Sequence, residues 1–389
     1  MSSMREMLMS PFSLRQLVRY SRGRFAFGRE LKSTWNGRVQ SNLSGEIEGT
    51  YVVSTDLGLF VVCPEGIKHI SKLSVFGVAI SGDKIFVAAM DGEDSVVFVG
   101  DSKSLLVPRH SFEWKELYRV PSAGHSGRIH QISVLGQSIW ICNTAQNSYV
   151  KLNYVTGEWQ GAFAPFRCSF GHPILKDHNH VNAISPHDNF LVFGAFRANK
   201  NAVFGVCGDG LVKIYTYKNM GIHDCIMSGE SIIFSDSYRM FDPDAVGGCL
   251  YKDGSPLFEE YFDCHPAGFL RGVAGSGGEI VAGNSVTGAR TERFSGNGEI
   301  IVFRNSVVRD RFSIPAAQIY DIIRLDGKHL DIPSSAKTFL DASKVLDNAF
   351  GPALETLDLE DLMIGPSGNK KFSLDDQGNL SEYLGKVRN

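Results

Sequence analysis

The sequence lacks the features that define several large classes of protein. No apolar run in its 389 residues approaches 18 residues, so it predicts no membrane-spanning helix. The N-terminus lacks the basic-then-apolar order of a secretory signal, and its Arg-rich, acid-poor composition leaves an organellar presequence as an alternative. GxSxG, HExxH, EF-hand and phosphate-binding glycine motifs are missing as well, so no nucleotide cofactor is predicted.

Cysteine is sparse and shows no pairing pattern. The seven cysteines form no CxxC motif, and several lie in apolar, strand-like stretches such as SIWICNTA, which begins at Ser138. An odd number of cysteines in such stretches indicates buried free thiols in a reducing compartment rather than disulfides. We therefore expect a cytoplasmic protein.

Charge is low overall but unevenly distributed. The net charge of −3 gives no reason to expect a sequence-specific nucleic-acid partner. Residues 1–45, however, carry eight Arg or Lys against two Glu, a local charge of +6. This basic arm is a candidate for peripheral contact with an anionic membrane, with nucleic acid or with a protein partner. A solvated arm, or a helix docked on the rest of the chain, is the alternative.

What the sequence does contain is a repeat. Frequent glycine (41 residues) and phenylalanine (26 residues) favour β structure. In each of the five clear copies an apolar anchor precedes the first apolar residue of a second strand by seven positions, with Gly, Asp or Ser in the turn between them. The five clear anchors lie 41 to 54 residues apart and are Val78, Ile132, Ile184, Cys225 and Val273. A sixth, weaker copy spans residues 320–332.

Four strands per unit at this period are typical of a β-propeller. The six hairpins therefore predict an all-β fold, a six-bladed β-propeller with four-stranded blades. A pair of β-sandwiches is the alternative, but it explains the repeat poorly. The stretch GTYVVSTDLGLFVVC at residues 49–63 precedes the first full copy. We predict that it supplies outer strands of the last blade and so closes the ring.

The flanks predict short helical N- and C-terminal extensions. Residues 12–35 can place four apolar side chains on one helical face, and the C-terminal stretches AKTFLDASKVLDNAF and PALETLDLEDLM are both helix-like. The predicted domains are a basic N-terminal arm at 1–45, the propeller at 46–333, and a C-terminal helical extension and tail at 334–389.

The innermost strand of each propeller blade lines a central channel, so equivalent positions of the repeat converge on one axis. Alignment of the anchors places five residues at one such position: Phe76, His130, Asn182, His223 and Arg271. The sixth position falls on Tyr320 or Asp321. If its strand extends that far, DHNHVNAI at residues 177–184 adds His178 and His180 to the face of Asn182.

These side chains define a candidate site. We predict His130, His223 and Arg271 as catalytic residues, with Arg271 as the clamp for a carboxylate or phosphate. His130, His180, Asn182 and His223 are candidate ligands of a divalent transition metal, because imidazole suits zinc, copper, iron or manganese better than calcium. The alternative is that polar residues at the mouth of a water-filled channel are merely hydrated.

A second group of charged residues follows a predicted strand. Arg290 lies in VTGARTERF at residues 286–294, and we predict that it joins Arg271 and Tyr320 in binding the substrate. A solvated charged loop is the alternative. Adjacency of Cys264 and His265 does not by itself make a thiol nucleophile, since the two groups must also meet in space.

The order of the segments resembles an uncharacterised family of bacterial β-propeller proteins. The segments that carry the resemblance, over roughly residues 50–305, are VSTDLGLFVV, FGVAISGDKIFVA, IHQISVLGQSIWICNT, FAPF, HVNAI, IHDCI, FLRGVA and GNSVTGAR. The resemblance implies a six-bladed propeller whose polar channel contains His130, His180, Asn182, His223 and Arg271. Gln131 departs from the family pattern, in which an acidic residue is usual. The chain is also distantly similar to lactonase and strictosidine-synthase-like propellers, in which an asparagine often helps to hold a channel metal.

Two hypotheses of function follow. In the first, the protein is an enzyme that binds a small polar or anionic metabolite in the channel and acts as a metal-assisted or histidine acid–base hydrolase, isomerase or lyase. In the second, the propeller is a non-catalytic binding or scaffold module in a glycan or secondary-metabolite pathway, and the basic arm docks it to a membrane or partner.

Overall fold

The computed structural model shows a six-bladed β-propeller, as the repeat predicts. It describes residues 30–33, 47, 49–92, 94–106, 112–120, 129–166, 180–198, 201–218, 221–237, 247–258, 268–276, 278–287, 294–304, 307–325 and 336–364.

The strands follow one another blade by blade. Ahead of the first complete blade come β1 (Glu30–Ser33), β2 (Tyr51–Thr55), β3 (Gly58–Cys63) and β4 (Gly66–Ser71). Blade 1 contains β5 (Val75–Ser81), β6 (Lys84–Asp91), β7 (Asp94–Asp101) and β8 (Phe112–Val120). Blade 2 contains β9 (Ile129–Leu135), β10 (Ser138–Asn143), β11 (Ser148–Asn153) and β12 (Trp159–Phe163). Blade 3 contains β13 (Val181–Pro186), β14 (Leu191–Ala198), β15 (Asn201–Gly208) and β16 (Leu211–Lys218).

The remaining blades complete the ring. Blade 4 contains β17 (Ile222–Ser228), β18 (Ser231–Asp236), β19 (Cys249–Lys252) and β20 (Ser255–Leu257). Blade 5 contains β21 (Phe269–Ser276), β22 (Glu279–Ser285), β23 (Gly298–Arg304) and β24 (Val307–Ile314). Blade 6 joins β25 (Ile319–Arg324) to β2, β3 and β4. The stretch at residues 49–63 therefore closes the ring as predicted, because its strands pair with the last inner strand.

The hydrophobic core lies between neighbouring blades. One cluster joins Val52 and Ile323 of blade 6 to Val78 and Val87 of blade 1, all of them fully buried or nearly so. Similar clusters fill the other interfaces between adjacent blades. Because both faces of each sheet are covered, the sequences of the strands are continuous apolar runs and do not alternate strictly between apolar and polar residues.

Three buried polar side chains fill the axis beneath the channel mouth. Each accepts a hydrogen bond from the anchor N–H of the next blade: Gln131 Oε1 from Ile184 (2.7 Å), Asp224 Oδ2 from Val273 (3.0 Å) and Asp321 Oδ2 from Val78 (3.1 Å). The Gln131 amide also donates to Asp224 Oδ1 (2.9 Å) and hydrogen-bonds the side chain of Asp321. We call Gln131, Asp224 and Asp321 the axial triad.

The axial triad comes from alternate blades. At the equivalent position the other three blades carry only Gly77, Ala183 and Gly272. A Cβ on Gly77 would lie 2.4 Å from the carbonyl oxygen of His130, and one on Gly272 would lie 2.8 Å from the nitrogen of Ile322. Small residues are therefore required where the next inner strand approaches most closely, and they leave the axis to the triad.

The chain extensions add edge strands to three blades. Strand β1 pairs with β8, β26 (Glu355–Asp358) pairs with β16, and β27 (Met363–Ile364) pairs with β12. These strands cover the outer edges of blades 1, 3 and 2, which would otherwise present unpaired N–H and C=O groups. The described part of the N-terminal extension, Glu30–Ser33, is thus a strand rather than a helix. The rest of the predicted arm, apart from this strand, lies outside the described residues.

The part of the C-terminal extension at residues 336–364 contains one full helix. Helix α1 (Phe339–Phe350) begins with a capping box between Thr338 and Asp341, and short 3₁₀ turns elsewhere span Ser102–Leu105 and Thr144–Gln146. Phe350 stacks on Phe204 of blade 3 with ring centroids 4.3 Å apart. The stretch PALETLDLEDLM, predicted as a second helix, instead forms β26 and the single-turn helix α2 (Leu359–Leu362). No helix in the described part of the chain is both long and apolar enough to cross a membrane.

The axial triad makes stability depend on pH in a defined direction. Burial, and then the neighbouring Asp224, raise the pKa of Asp321 well above its usual range. The folded state therefore holds this proton more tightly than the unfolded state, and the stability that it contributes is complete below the unfolded pKa near 3.8 and falls as pH rises through the raised pKa. Asp321→Asn, which carries no charge, should gain stability relative to the wild type as pH rises from 4 to 8.

Urea unfolding of the two proteins across that pH range measures the difference, with the exposed turn residue Asp209→Asn as control. Asp321→Ala is also uncharged but removes the acceptor of the Val78 N–H, so its free energy of unfolding should lie about 3 kcal/mol below that of Asp321→Asn at every pH. A difference between the wild type and Asp321→Asn that does not change with pH would contradict the assignment.

Candidate functional site

One side chain from each inner strand converges at the mouth of the channel. The lining residues are Phe76, His130, Asn182, His223, Arg271 and Tyr320, with Gln131 of the axial triad beneath them. The space that they border is about 270 Å³ when the open solvent at the mouth is counted with it. Tyr320 takes the sixth position, whereas Asp321 points into the axial triad below.

A β-bulge at this level turns each of these side chains toward the axis. In all six inner strands the pairing with the second strand shifts register at or beside the lining residue. A bulge places one extra residue against the partner strand and re-aims its side chain. Strict alternation along the strand is therefore not what directs these residues into the channel.

Each inner strand is also held near its start by a side chain of the preceding blade. We call these six side chains the junction tethers. Their hydrogen bonds are Ser54 Oγ to Phe76 O, Ser95 Oγ from Ile129 N, Thr144 Oγ1 to Val181 O, Asn182 Nδ2 to Ile222 O, Ser237 Oγ to Leu270 O and Ser285 Oγ to Ile319 O. Because each bond falls on a lining residue or its immediate neighbour, the preceding blade fixes where that residue lies.

His180 lies against the lining residue His130, and it reaches this position by a different route from the one that sequence periodicity predicts. It precedes β13 rather than belonging to it, and its backbone is left-handed at φ 54°. Its carbonyl oxygen accepts a hydrogen bond from Phe196 N at 3.3 Å. A left-handed histidine is uncommon, and such strain is found at functional sites. His178, which was predicted for the same face, lies outside the described residues.

Three imidazoles come together here. His130 Nε2 and His180 Nε2 are 3.1 Å apart, so one ring donates its N–H to the other. The His223 ring centroid lies 6.2 Å from each of the other two. Among the described residues no three His, Cys, Asp or Glu side chains are arranged to hold a metal ion. A metal held by His130, His180, Asn182 and His223 therefore stays a prediction.

Ser237 fixes the tautomer of His223. The Ser237 hydroxyl donates its single proton to the carbonyl oxygen of Leu270 at 3.1 Å, so toward Nδ1 of His223, with which it is in close contact, it acts as acceptor. The carbonyl oxygen of Gly221 also faces Nδ1, at 3.4 Å. With two acceptors beside it, Nδ1 carries the hydrogen, and Nε2 is left with its lone pair.

The surroundings also keep His223 neutral. Burial lowers the pKa of His223 well below its ordinary value, and the positive charge of Arg271 and the neighbouring His130 and His180 lower it further. A neutral imidazole with a bare Nε2 is a hydrogen-bond acceptor and a proton acceptor throughout the physiological pH range.

Asn182, which lines the cavity, carries a second unsatisfied acceptor. Its side-chain amide donates from Nδ2 to the carbonyl oxygen of Ile222, which determines the orientation of the amide. The side chain is 1% exposed, and Oδ1 has no hydrogen-bond partner among the described residues. A buried carbonyl oxygen without a donor is costly, so this atom calls for a donor that a ligand can supply.

The opposite side of the cavity is cationic and aromatic. The Arg271 guanidinium lies 5.3 Å from the ring centroid of Phe269 and 5.6 Å from that of Tyr320. Tyr320 in turn packs on Phe76 with centroids 4.7 Å apart. Arg271 thus packs against two aromatic rings at the cavity edge, and its positive charge lowers the pKa of His223.

Three residues that the sequence singled out cannot be compared with the structure. Arg290, Cys264 and His265 lie outside the described residues, so their roles stay predictions. The five described cysteines are buried free thiols.

The sequence analysis did not identify Ser237 as a functional residue. Ser237 lies at the end of the second strand of its blade, and the tethers Ser54, Thr144 and Ser285 lie at comparable places in theirs. The recurrence of a hydroxyl residue at this place was the signal that could have identified it.

The fold places the chain in the class of six-bladed β-propellers. It resembles a chain in a crystal structure of a nidogen/laminin complex with 11% sequence identity and a TM-score of 0.50, over 72% of this chain and 99% of that one. A protein of unknown function from Bacteroides caccae shares 10% identity at a TM-score of 0.48, over 71% and 99%. At such identities the likeness shows the fold alone.

No family model matches the chain, and no curated protein matches it. The resemblance to an uncharacterised bacterial family, and the more distant one to lactonase and strictosidine-synthase-like propellers, therefore stay predictions.

Ser237→Ala should release the His223 tautomer. Without the hydroxyl, Nδ1 keeps only the long contact to Gly221 O, so the ring should populate both tautomers. Long-range ¹H–¹⁵N spectra of the histidines report this directly, because protonated and bare ring nitrogens have well-separated ¹⁵N shifts. In the wild type we expect Nδ1 protonated and Nε2 bare.

Ser185→Ala is the matched control, since Ser185 Oγ contacts Nε2 of His187 at 3.4 Å away from the channel. It should leave His223 unchanged. An Nε2-protonated His223 in the wild-type spectrum would show the tautomer assignment to be wrong.

Proposed function

We propose that the protein is an enzyme that binds a small anionic metabolite at the channel mouth and performs acid–base chemistry on it. One observation carries the proposal: a bare histidine nitrogen and a buried amide oxygen without a donor face the same cavity as an arginine. The stability of the propeller does not require this combination, because the axial triad already accepts the anchor N–H hydrogen bonds of three inner strands.

Each residue has a definite part in this proposal. Arg271 binds the anionic group of the substrate with its planar guanidinium. His223 Nε2 takes a proton from the substrate, and Ser237 holds the ring in the tautomer that allows this. Asn182 Oδ1 accepts a hydrogen bond that orients the reacting group. His130 and His180 share one hydrogen bond and can return a proton on the other side of the cavity.

Hydrolysis, isomerisation and elimination all use these steps, and the proposal covers the three classes alike. A metal bound by the histidines would add a Lewis acid, but no step assigned here to the chain's own residues requires one. Arg290 is proposed as a second substrate-binding cation and Tyr320 as an aromatic support for Arg271.

A specific observation favours the non-catalytic alternative. The lining residues include no carboxylate, and His223 is a weak base because its pKa is lowered. A cavity of this kind can hold an anion without turning it over, as a sensor or scaffold does. In that case the same residues determine affinity and none determines a rate.

His223→Gln separates the two candidates. The wild type and the variant are incubated with a panel of small hydroxy acids, carboxylate esters and lactones, and products are followed by ¹H NMR. If His223 is the base, turnover should fall by about 10²- to 10⁴-fold in the variant, since general base catalysis contributes that much. The melting temperature should change little because His223 lies at a cavity edge.

His69→Gln is the control, since His69 lies on the outermost strand of blade 6 and stacks on Phe60. Its turnover should match the wild type. Turnover that survives in His223→Gln would contradict the assigned role, and absence of turnover in the wild type across the panel supports the binding module.

A further inference from the structure

We propose that the ligand of this cavity is a hydroxycarboxylate, a small molecule that carries one carboxylate and at least one neutral hydroxyl group. This inference rests on the proposed function for its site, but it concerns the class of ligand and stands whether or not the ligand is turned over.

The hydroxyl follows from two acceptors on neighbouring blades. Asn182 Oδ1 on blade 3 has no donor among the described residues, and the tautomer set by Ser237 leaves Nε2 of His223 on blade 4 as an acceptor. Both side chains line the cavity. An O–H group of the ligand satisfies either atom, whereas a carbonyl or ether group satisfies neither.

Asn182 differs from the other junction tethers in a way that strengthens this point. Ser54, Ser95, Thr144, Ser237 and Ser285 each hold the next blade through one hydroxyl. Only the amide of Asn182 has a second polar atom beyond the one that does the tethering, and this tether alone is also a lining residue. A hydroxyl would have sufficed to hold Ile222, so Oδ1 is unexplained by the fold.

The carboxylate follows from the charge of the cavity. The lining residues include Arg271 and no Asp or Glu, since both aspartates of the axial triad lie below and are occupied by backbone N–H groups and Gln131. Among the described lining residues the one formal charge is therefore positive. It disfavours an ammonium group as the donor to Asn182, so an amino acid fits less well than a hydroxy acid.

The aromatic side of the cavity determines which carbon skeleton the ligand can carry. Phe76 and Tyr320 lie between Arg271 and His130 around the ring, and their rings offer apolar surface without further donors, apart from the tyrosine hydroxyl. The carbon skeleton of a hydroxycarboxylate can pack there while its two polar groups face blades 3, 4 and 5.

Two matched series of ligands test the inference with the full-length protein. The first is lactate, lactamide, propionate and alanine; the second carries the same head groups on a phenylmethyl side chain, from 3-phenyllactate to phenylalanine. In each series one member has both groups, one lacks the charge, one lacks the hydroxyl and one replaces the hydroxyl by an ammonium. Binding is measured by titration, with the ¹⁵N signals of His223 as the readout.

In at least one series the hydroxy acid should bind about tenfold or more tightly than each of its three relatives, because each relative leaves one polar group of the site unmatched. Arg271→Gln should abolish the preference over the amide and keep that over the carboxylic acid without the hydroxyl. Asn182→Ala should abolish the preference over the carboxylic acid without the hydroxyl and keep the preference over the amide. Should that variant unfold for want of its tether, Asn182→Ser tests the same preference, because it keeps a hydroxyl for the carbonyl oxygen of Ile222 but lacks Oδ1.

Equal binding within both series, or no binding in either, would overturn the inference. The outcome is distinguishable from failure of the proposed function. Selective binding of a hydroxy acid that is never turned over rejects the enzyme and retains the ligand class. If a substrate without a hydroxyl or a carboxylate is turned over, and if this turnover is lost in His223→Gln, the ligand class is rejected and the enzyme is retained.

Discussion

The structure depends on one interaction repeated three times at its axis: the anchor N–H of an inner strand donates to a buried side chain of the blade before it. Gln131, Asp224 and Asp321 accept these bonds, and the Gln131 amide lies between the two carboxylates. Six inner strands meet here, where no room remains for six side chains. Alternation between a polar acceptor and a Gly or Ala resolves the crowding, whereas at the channel mouth above all six blades contribute a side chain.

Much of this arrangement could be predicted from the sequence because the repeat preserves a spacing. The seven positions from anchor to second strand are constant in five copies, so alignment of the anchors superimposes the inner strands, bulges included. That is why Phe76, His130, Asn182, His223 and Arg271 were found to be equivalent although no periodicity within a single strand identifies them. The sixth copy lacked a clear anchor, and the choice between Tyr320 and Asp321 needed the structure.

The rest depends on contacts that local pattern does not encode. Sequence periodicity predicts that His180 lies beside Asn182 through strand alternation, whereas a left-handed backbone brings it to His130. The second C-terminal helix was predicted from its apolar spacing, but pairing with the exposed edge of blade 3 draws residues 355–358 into a strand. Ser237 gives no signal in isolation, because a serine after a strand is common, and its effect on His223 appears only when blades 4 and 5 are in place.

The junction tethers imply that the unit of function in this propeller is not the blade. Every lining residue belongs to one blade but is held in place by the blade before it, so the boundary between functional units runs through the middle of each sheet rather than through the connecting loops. A duplicated or transplanted blade would bring its own lining residue to a new neighbour and lose the side chain that positioned it. Where the tether lies outside the inner strand, as in five of the six blades, modular exchange therefore has to move the tethering segment together with the inner strand that follows it; blade 3 tethers its neighbour from its own inner strand, through Asn182.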